Sequence, residues 1–291
     1  MKPLAPILLF GLLTVPSLLW AQSAPVPLYR VTVSSQSTPA FNYGGSDAIP
    51  TRVGFRGTVL LPGGKGEAGI SRLGSAVEID AHFNGLGSPQ RFGLNYLTYV
   101  MWAITPDGRA QNLGEIPANH ANKGRLRTAT SLQAFALVVT AEPYYSVTHP
   151  SGVMVLENYA LPDTRAKAES VRANETLLPT QPFNYDLQAG QQRLNERGPK
   201  VSAKQYESLQ ALYQALNAIQ LASAHGADQS APAVMQKARA LYEQARSAQM
   251  AGSSSATVVA AAREAVQTAE DARLIGSNQH EPTAPNGSPN P

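Results

Sequence analysis

Between Leu28 and Tyr159 the apolar residues fall in short runs cut by Gly, Pro, Asn and Asp. Over residues 76–83, Val77, Ile79, Ala81 and Phe83 alternate with Glu78, Asp80 and His82. That period of two buries one face of a strand. The runs at 99–105 and 135–140 are continuously apolar over most of their length, which predicts central strands covered on both faces. Shorter runs at 29–33 and 153–156 add further strands. Turn signals separate them: Pro62-Gly63-Gly64-Lys65-Gly66, Pro106-Asp107-Gly108-Arg109 and His149-Pro150-Ser151-Gly152. Strands so spaced, without amphipathic helices between them, predict an antiparallel, Ig-like β-sandwich.

After Val201 the period changes to three and four. A first helix carries Tyr206, Leu209, Leu212, Tyr213, Leu216, Ile219 and Leu221 and ends near His225-Gly226. A second starts with Ser230 as N-cap and Pro232 in its first turn, and stops at Gly252. A third carries Val258, Val259, Ala262, Ala265, Val266, Ala269 and Ala272, with Gly276 as its stop. Small alanines allow close approach, so an antiparallel helical hairpin or three-helix bundle is expected, in the manner of a short coiled coil. The predicted class is therefore α+β in separate domains: a sandwich over 22–162, a connector over 163–201 with a candidate extra strand at 169–178, a helical domain over 202–276, and a disordered tail over 277–291. Burial stabilises by roughly 25 cal/mol per Å², and an Ala/Val stripe offers little area. The stripe is thus expected to be completed by the sandwich or by a second copy, which makes self-association a candidate.

Composition adds place more than chemistry. Residues 1–21 hold one lysine, then a Leu-rich apolar run and small residues, the order of a signal peptide cleaved after Ala21, so a periplasmic or secreted protein is expected. No later stretch is long and apolar enough for a transmembrane segment. The absence of cysteine among 291 residues excludes disulfides, thiolate metal sites and thiol catalysis. Over residues 22–162 there are 10 Lys and Arg against 8 Asp and Glu, and over 202–276 there are 6 against 6. Nucleic-acid binding needs a clustered basic face, so it is not expected. Lys123, Arg125 and Arg127 read as a solvated strand edge.

Candidate chemistry is sparse. The histidines, His82, His120, His149, His225 and His280, lie far apart without metal-ligand spacing, and no metal or cofactor is expected. In 63–69 Lys65 precedes Gly66 rather than Ser or Thr, so the glycines form a turn and not a phosphate loop. Glu78 and Asp80 share a strand face but read as solvent-facing, and Trp102 reads as core. Glu142 is the most suggestive position: it ends a buried strand and is followed by Tyr144 and Tyr145, a candidate platform for a sugar or peptide. The favoured class is a non-catalytic exported cell-envelope protein, its sandwich contacting or sensing an envelope protein or cell-wall component and its helices associating or spacing. The alternative is an exported binding or hydrolytic domain acting on cell-wall sugar or peptide.

The segments Tyr96 to Arg109, Asn112-Leu113-Gly114-Glu115, Val139-Thr140-Ala141-Glu142-Pro143 and 150–156 resemble the extracytoplasmic sandwich domain of anti-sigma-K-factor proteins. The shared order is an apolar strand with tryptophan, an Asp-Gly turn, a Thr-x-Glu-Pro strand end and a Pro-x-Gly-apolar strand. The resemblance covers about 60 residues and implies the sandwich alone, since no sigma-binding segment or internal membrane span accompanies it. Residues Gly226-Ala227-Asp228, Lys237 to Leu241 and Ala262 to Arg273 are similar to a small Ala-rich domain of envelope proteins, the DUF4398 type. That likeness implies an envelope role without an assigned activity.

Overall fold

The computed structural model describes residues 38–43, 50–117, 122–173 and 202–280. The expected signal peptide, the strand at 29–33, His120 and the tail beyond 280 lie outside these residues. So does most of the connector. Ten strands are described: β1 (Thr38–Asn42), β2 (Thr51–Gly57), β3 (Lys65–Leu73), β4 (Ala76–Asn84), β5 (Thr98–Ile104), β6 (Ala110–Ile116), β7 (Lys123–Thr130), β8 (Ala134–Glu142), β9 (Met154–Ala160) and β10 (Lys167–Ala173). Four helices follow: α1 (Ala203–Ala224), the single turn α2 (Ala227–Ser230), α3 (Pro232–Met250) and α4 (Ser255–His280). The class is α+β, an antiparallel sheet followed by a helical region.

Every strand pairing is antiparallel. The main path runs β7-β4-β3-β2-β9-β8-β5-β6, with β1 and β10 joined beside β8. The two ends of that path approach each other, since Thr130 Oγ1 on β7 donates to Gln111 Oε1 on β6 at 2.6 Å. The sheet is therefore curled toward closure. One edge of β8 is shared: β1 pairs at Ala134 and Phe135, and β9 takes over from Val138. At the junction the Leu137 N–H donates to the side chain of buried Asn158 at 2.9 Å. A backbone donor without a strand partner is satisfied in this way.

The central strands β5 and β8 are buried on both faces, as their unbroken apolar runs predict. Tyr99, Met101, Ala103, Phe135, Leu137 and Val139 point into the curled sheet, where they meet Phe41, Phe55, Phe83, Ile70 and Ile79. Val100, Trp102, Ile104, Ala136 and Val138 point the other way, into a second cluster shared with Leu212, Ile219, Ala265, Ala269 and Ala272 of the helices. The helical stripe is thus completed by the outer face of β5 and β8. The remaining faces are polar: on β4 and β7, Asp80 accepts from Arg125 at 2.7 Å and Arg127 at 2.9 Å. These arginines make the solvated strand edge that the sequence suggested, and His82 stands beside them, 3.3 Å from Asp80.

Two helix signals resolve differently from the sequence reading. Ser230 is not the N-cap of α3; that position is Ala231, because the Ser230 hydroxyl donates to Gly226 O at 3.1 Å and its N–H is held within α2. Gly276 does not stop α4, which continues to His280. A Cβ at Gly276 would stand 2.9 Å from the His225 carbonyl oxygen, so the glycine serves the close approach of α4 to the α1–α2 turn. The first helix does begin and end on local signals: Ser202 and Gln205 form a reciprocal capping box, and Gly226 adopts φ 78° just beyond the end.

Candidate functional site

β8 carries Glu142 to the point where the chain leaves the sheet and enters the loop 143–153. Its carboxyl is wholly buried. Oε1 accepts from the Ser151 N–H at 2.7 Å and from Thr140 Oγ1 at 2.5 Å, so one oxygen ties the far end of the loop to the strand. The chain of donors continues inward, since Trp102 Nε1 donates to Thr140 Oγ1 at 2.8 Å. Oε2 has no hydrogen-bond partner among the described residues. Burial above all, opposed by the two donors and aided by the negative charge of Glu270, pushes the Glu142 carboxyl up to about 8. The group is therefore a neutral acid at pH 7.

The loop is fastened to the helices residue by residue. Tyr144, fully buried, donates its hydroxyl to Glu270 Oε2 at 2.7 Å. The Tyr145 N–H donates to Gln214 at 2.9 Å, and its hydroxyl donates to the Arg263 carbonyl at 3.1 Å. Arg263 also lies over the Tyr145 ring, 4.3 Å from its centroid, and pairs with Glu115 of β6. Gln214 reaches the same Glu115 at 2.8 Å. Thr148 donates both its N–H, at 3.1 Å, and its hydroxyl, at 2.8 Å, to Glu270 Oε1. The structure thus brings Glu142, Tyr144 and Tyr145 to one seam, but, Glu142 Oε2 apart, spends their polar side-chain atoms on internal partners.

The centre of the seam is a pair the sequence reading did not single out. Arg273 is fully buried and grips Glu270 through Nε at 2.6 Å and Nη2 at 2.8 Å, with Nη2 also 3.0 Å from Thr148 Oγ1. Burial would raise the Glu270 carboxyl, but hydrogen bonds and the charge of Arg273 outweigh it and hold the group below its ordinary value. A signal was available: Glu270 and Arg273 stand four and seven residues after Val266, on the apolar stripe rather than the wet face of α4. His149 is half-buried beside them and is pushed down by burial and by the Arg273 charge.

A second feature lies apart from the seam. A cleft of about 530 Å³ at one end of β4 and β7 is lined by His82, Asn84, Lys123 and Arg125 with Phe83 at its base. Among the described residues, no group of three or more His, Asp or Glu is placed to hold a metal ion. No helix among them is long and apolar enough to cross a membrane. No protein-family model and no curated protein matches the chain.

Proposed function

We propose that the protein is a non-catalytic, exported component of the bacterial cell envelope. In this reading an Ig-like sandwich contacts or senses an envelope protein or cell-wall component. The helices act as a hairpin-like bundle for spacing or association. The observation that carries it is the closed seam: Glu142 and Tyr144, the residues with the strongest claim to chemistry, are fully buried and bonded to neighbours. An enzyme acting on a wall polymer needs titratable groups converging on an open pocket. The open surface is instead the polar face of β4 and β7, where His82, Lys123 and Arg125 line the cleft and Asp80 steadies Arg125 from the side. Such a surface suits the carboxylates of a wall peptide. The N-terminal apolar segment and the likeness to envelope sandwich and Ala-rich domains support export.

Sedimentation with purified peptidoglycan tests the reading. Co-sedimentation that weakens when Lys123 and Arg125 are both changed to Glu, with no soluble fragments released, is the expected result. Release of sugar or peptide fragments would overturn the non-catalytic assignment, and a chain retained uncleaved in the cytoplasm would overturn export.

A further inference from the structure

We propose that Glu142 is a proton-operated latch between the sheet and the helices: neutral, it closes the loop 143–153 onto α4, and ionised, it releases that loop and loosens the helical layer. The inference holds whichever envelope partner the sheet contacts. It starts from placement. Glu142 Oε1 joins the end of β8 to the Ser151 N–H at the far side of the loop, beside the bond from the Ser151 hydroxyl to the Ala141 carbonyl. Between those two anchors lie Tyr144, Tyr145 and Thr148, which together donate five hydrogen bonds to α1 and α4, and Thr148 accepts another from Arg273. The loop is a short span whose far end is held by the Glu142 carboxyl together with Ala141, and it is loaded with contacts to the helices.

Ionisation would act on that span in two ways. The new charge would have one oxygen, Oε2, buried without a donor, and an unpaired buried charge is strongly unfavourable. It would also face Glu270, which is already ionised on the helical side, so two like charges would stand across the seam. The titratable groups that act on Glu142 are Tyr96 before β5 and Glu270 on α4, and Glu270 in turn meets Tyr144 and His149 of the loop and Arg273 of α4. Tyr96 is pushed up to about 12, by burial and by Glu142 itself, and stays neutral throughout. His149 is pushed down and is uncharged well before Glu142 loses its proton. Of the two cations along the seam, Arg263 is committed to Glu115, and Arg273 commits its Nε and Nη2 to Glu270 and Thr148, with its Nη1 buried and without a partner among the described residues. A mildly alkaline rise therefore changes one charge at this seam, and that charge is repelled by the layer it fastens.

The test uses the full chain carrying Trp20→Phe, in which Trp102 is the only indole. Trp102 touches Glu142 through one hydroxyl, Thr140 Oγ1, so its emission reports the carboxyl directly. The expected result is a step in Trp102 emission centred near pH 8 that vanishes when Glu142→Gln is added. Hydrogen exchange, corrected for its intrinsic pH dependence, should show the loop and α4 losing protection across the same step while β3 and β4 keep theirs. Glu142→Leu supplies a second neutral side chain if the glutamine variant folds poorly, and it too should be flat. No step in the Trp20→Phe chain, a step that persists in the neutral variants, or a uniform loss of protection over the whole chain would each overturn the latch.

Discussion

The two faces of β8 are packed with different materials. Inside the curled sheet, Phe135, Leu137 and Val139 meet large side chains, among them Phe41, Phe55, Phe83 and Tyr99, and burial there is almost wholly apolar. On the other face, Ala136 and Val138 meet alanines of α1 and α4, and the contact is crossed by Glu270, Arg273, Gln214 and the loop tyrosines. Large side chains supply area and shape, so the interior needs no polar directions. Alanine surfaces supply little area and slide easily, so the seam takes its register from directed hydrogen bonds. The lesson is that the weaker of two apolar contacts carries the buried charges.

The largest effect expected from this contrast comes from removing one charge of the seam. Arg273→Met leaves Glu270 buried and unpaired, and it should cost about 3–5 kcal/mol in urea unfolding. Replacing Glu270 and Arg273 together by Gln and Met should restore much of that loss. A single variant as mild as a surface change would place the pair outside the seam's support.

The next effect is in pH. Glu142 has its folded value raised from 4.5 to about 8, so the folded state holds a proton that the unfolded chain releases. Its contribution is complete below about pH 4.5 and is lost as pH rises toward 8, at up to about 1.4 kcal/mol per pH unit. Glu270 has the opposite sign: its stabilisation is present above the ordinary carboxylate value and is lost as acid protonates it. Subtracting the pH profile of Glu142→Gln from that of the native chain isolates the first slope. A difference that is flat between pH 5 and 8 would contradict the assignment.

Steric fit comes third. Gly276→Ala should destabilise by about 1–3 kcal/mol although alanine favours a helix, because its Cβ would press on the backbone oxygen of His225. Raised thermal stability would show that the helices can part there without loss. The smallest effect belongs to the wet face of the sheet, where Arg52 pairs with Glu67 at 2.5 Å with both side chains about half exposed. Arg52→Ala should change stability by less than about 1 kcal/mol, and by less still in salt.

Much of this architecture is legible in the chain, and the limits have physical causes. Alternation at 76–83 gives β4 its single buried face, and unbroken apolar runs mark β5 and β8 as two-faced. The helical stripe and its shortage of area already point to a covering surface. What local reading misses are long-range uses of short-range signals. Ser230 looks like a cap, yet its hydroxyl turns back to Gly226 one turn earlier, and Gly276 looks like a stop, yet it serves the turn at His225, close in space and remote in sequence. Glu142 stands out by its position at a strand end, whereas for Glu270 and Arg273 the spacing from Val266 offers a fainter signal among the acidic and basic residues of α4. The spacing puts those two on the inward stripe, and the fold supplies their partners, Tyr144 and Thr148.

The central claim is that sheet and helices share one packed core through the outer face of β5 and β8. Thermal unfolding of the Trp20→Phe chain, followed at once by Trp102 fluorescence and by the helical circular dichroism signal, tests it most directly. Trp102 lies in the shared cluster, so the account predicts one transition with coincident midpoints, moving together to lower temperature in Arg273→Met. Helices that melt in a separate transition, with Trp102 emission unchanged through it, would contradict the account and restore two independently folding parts.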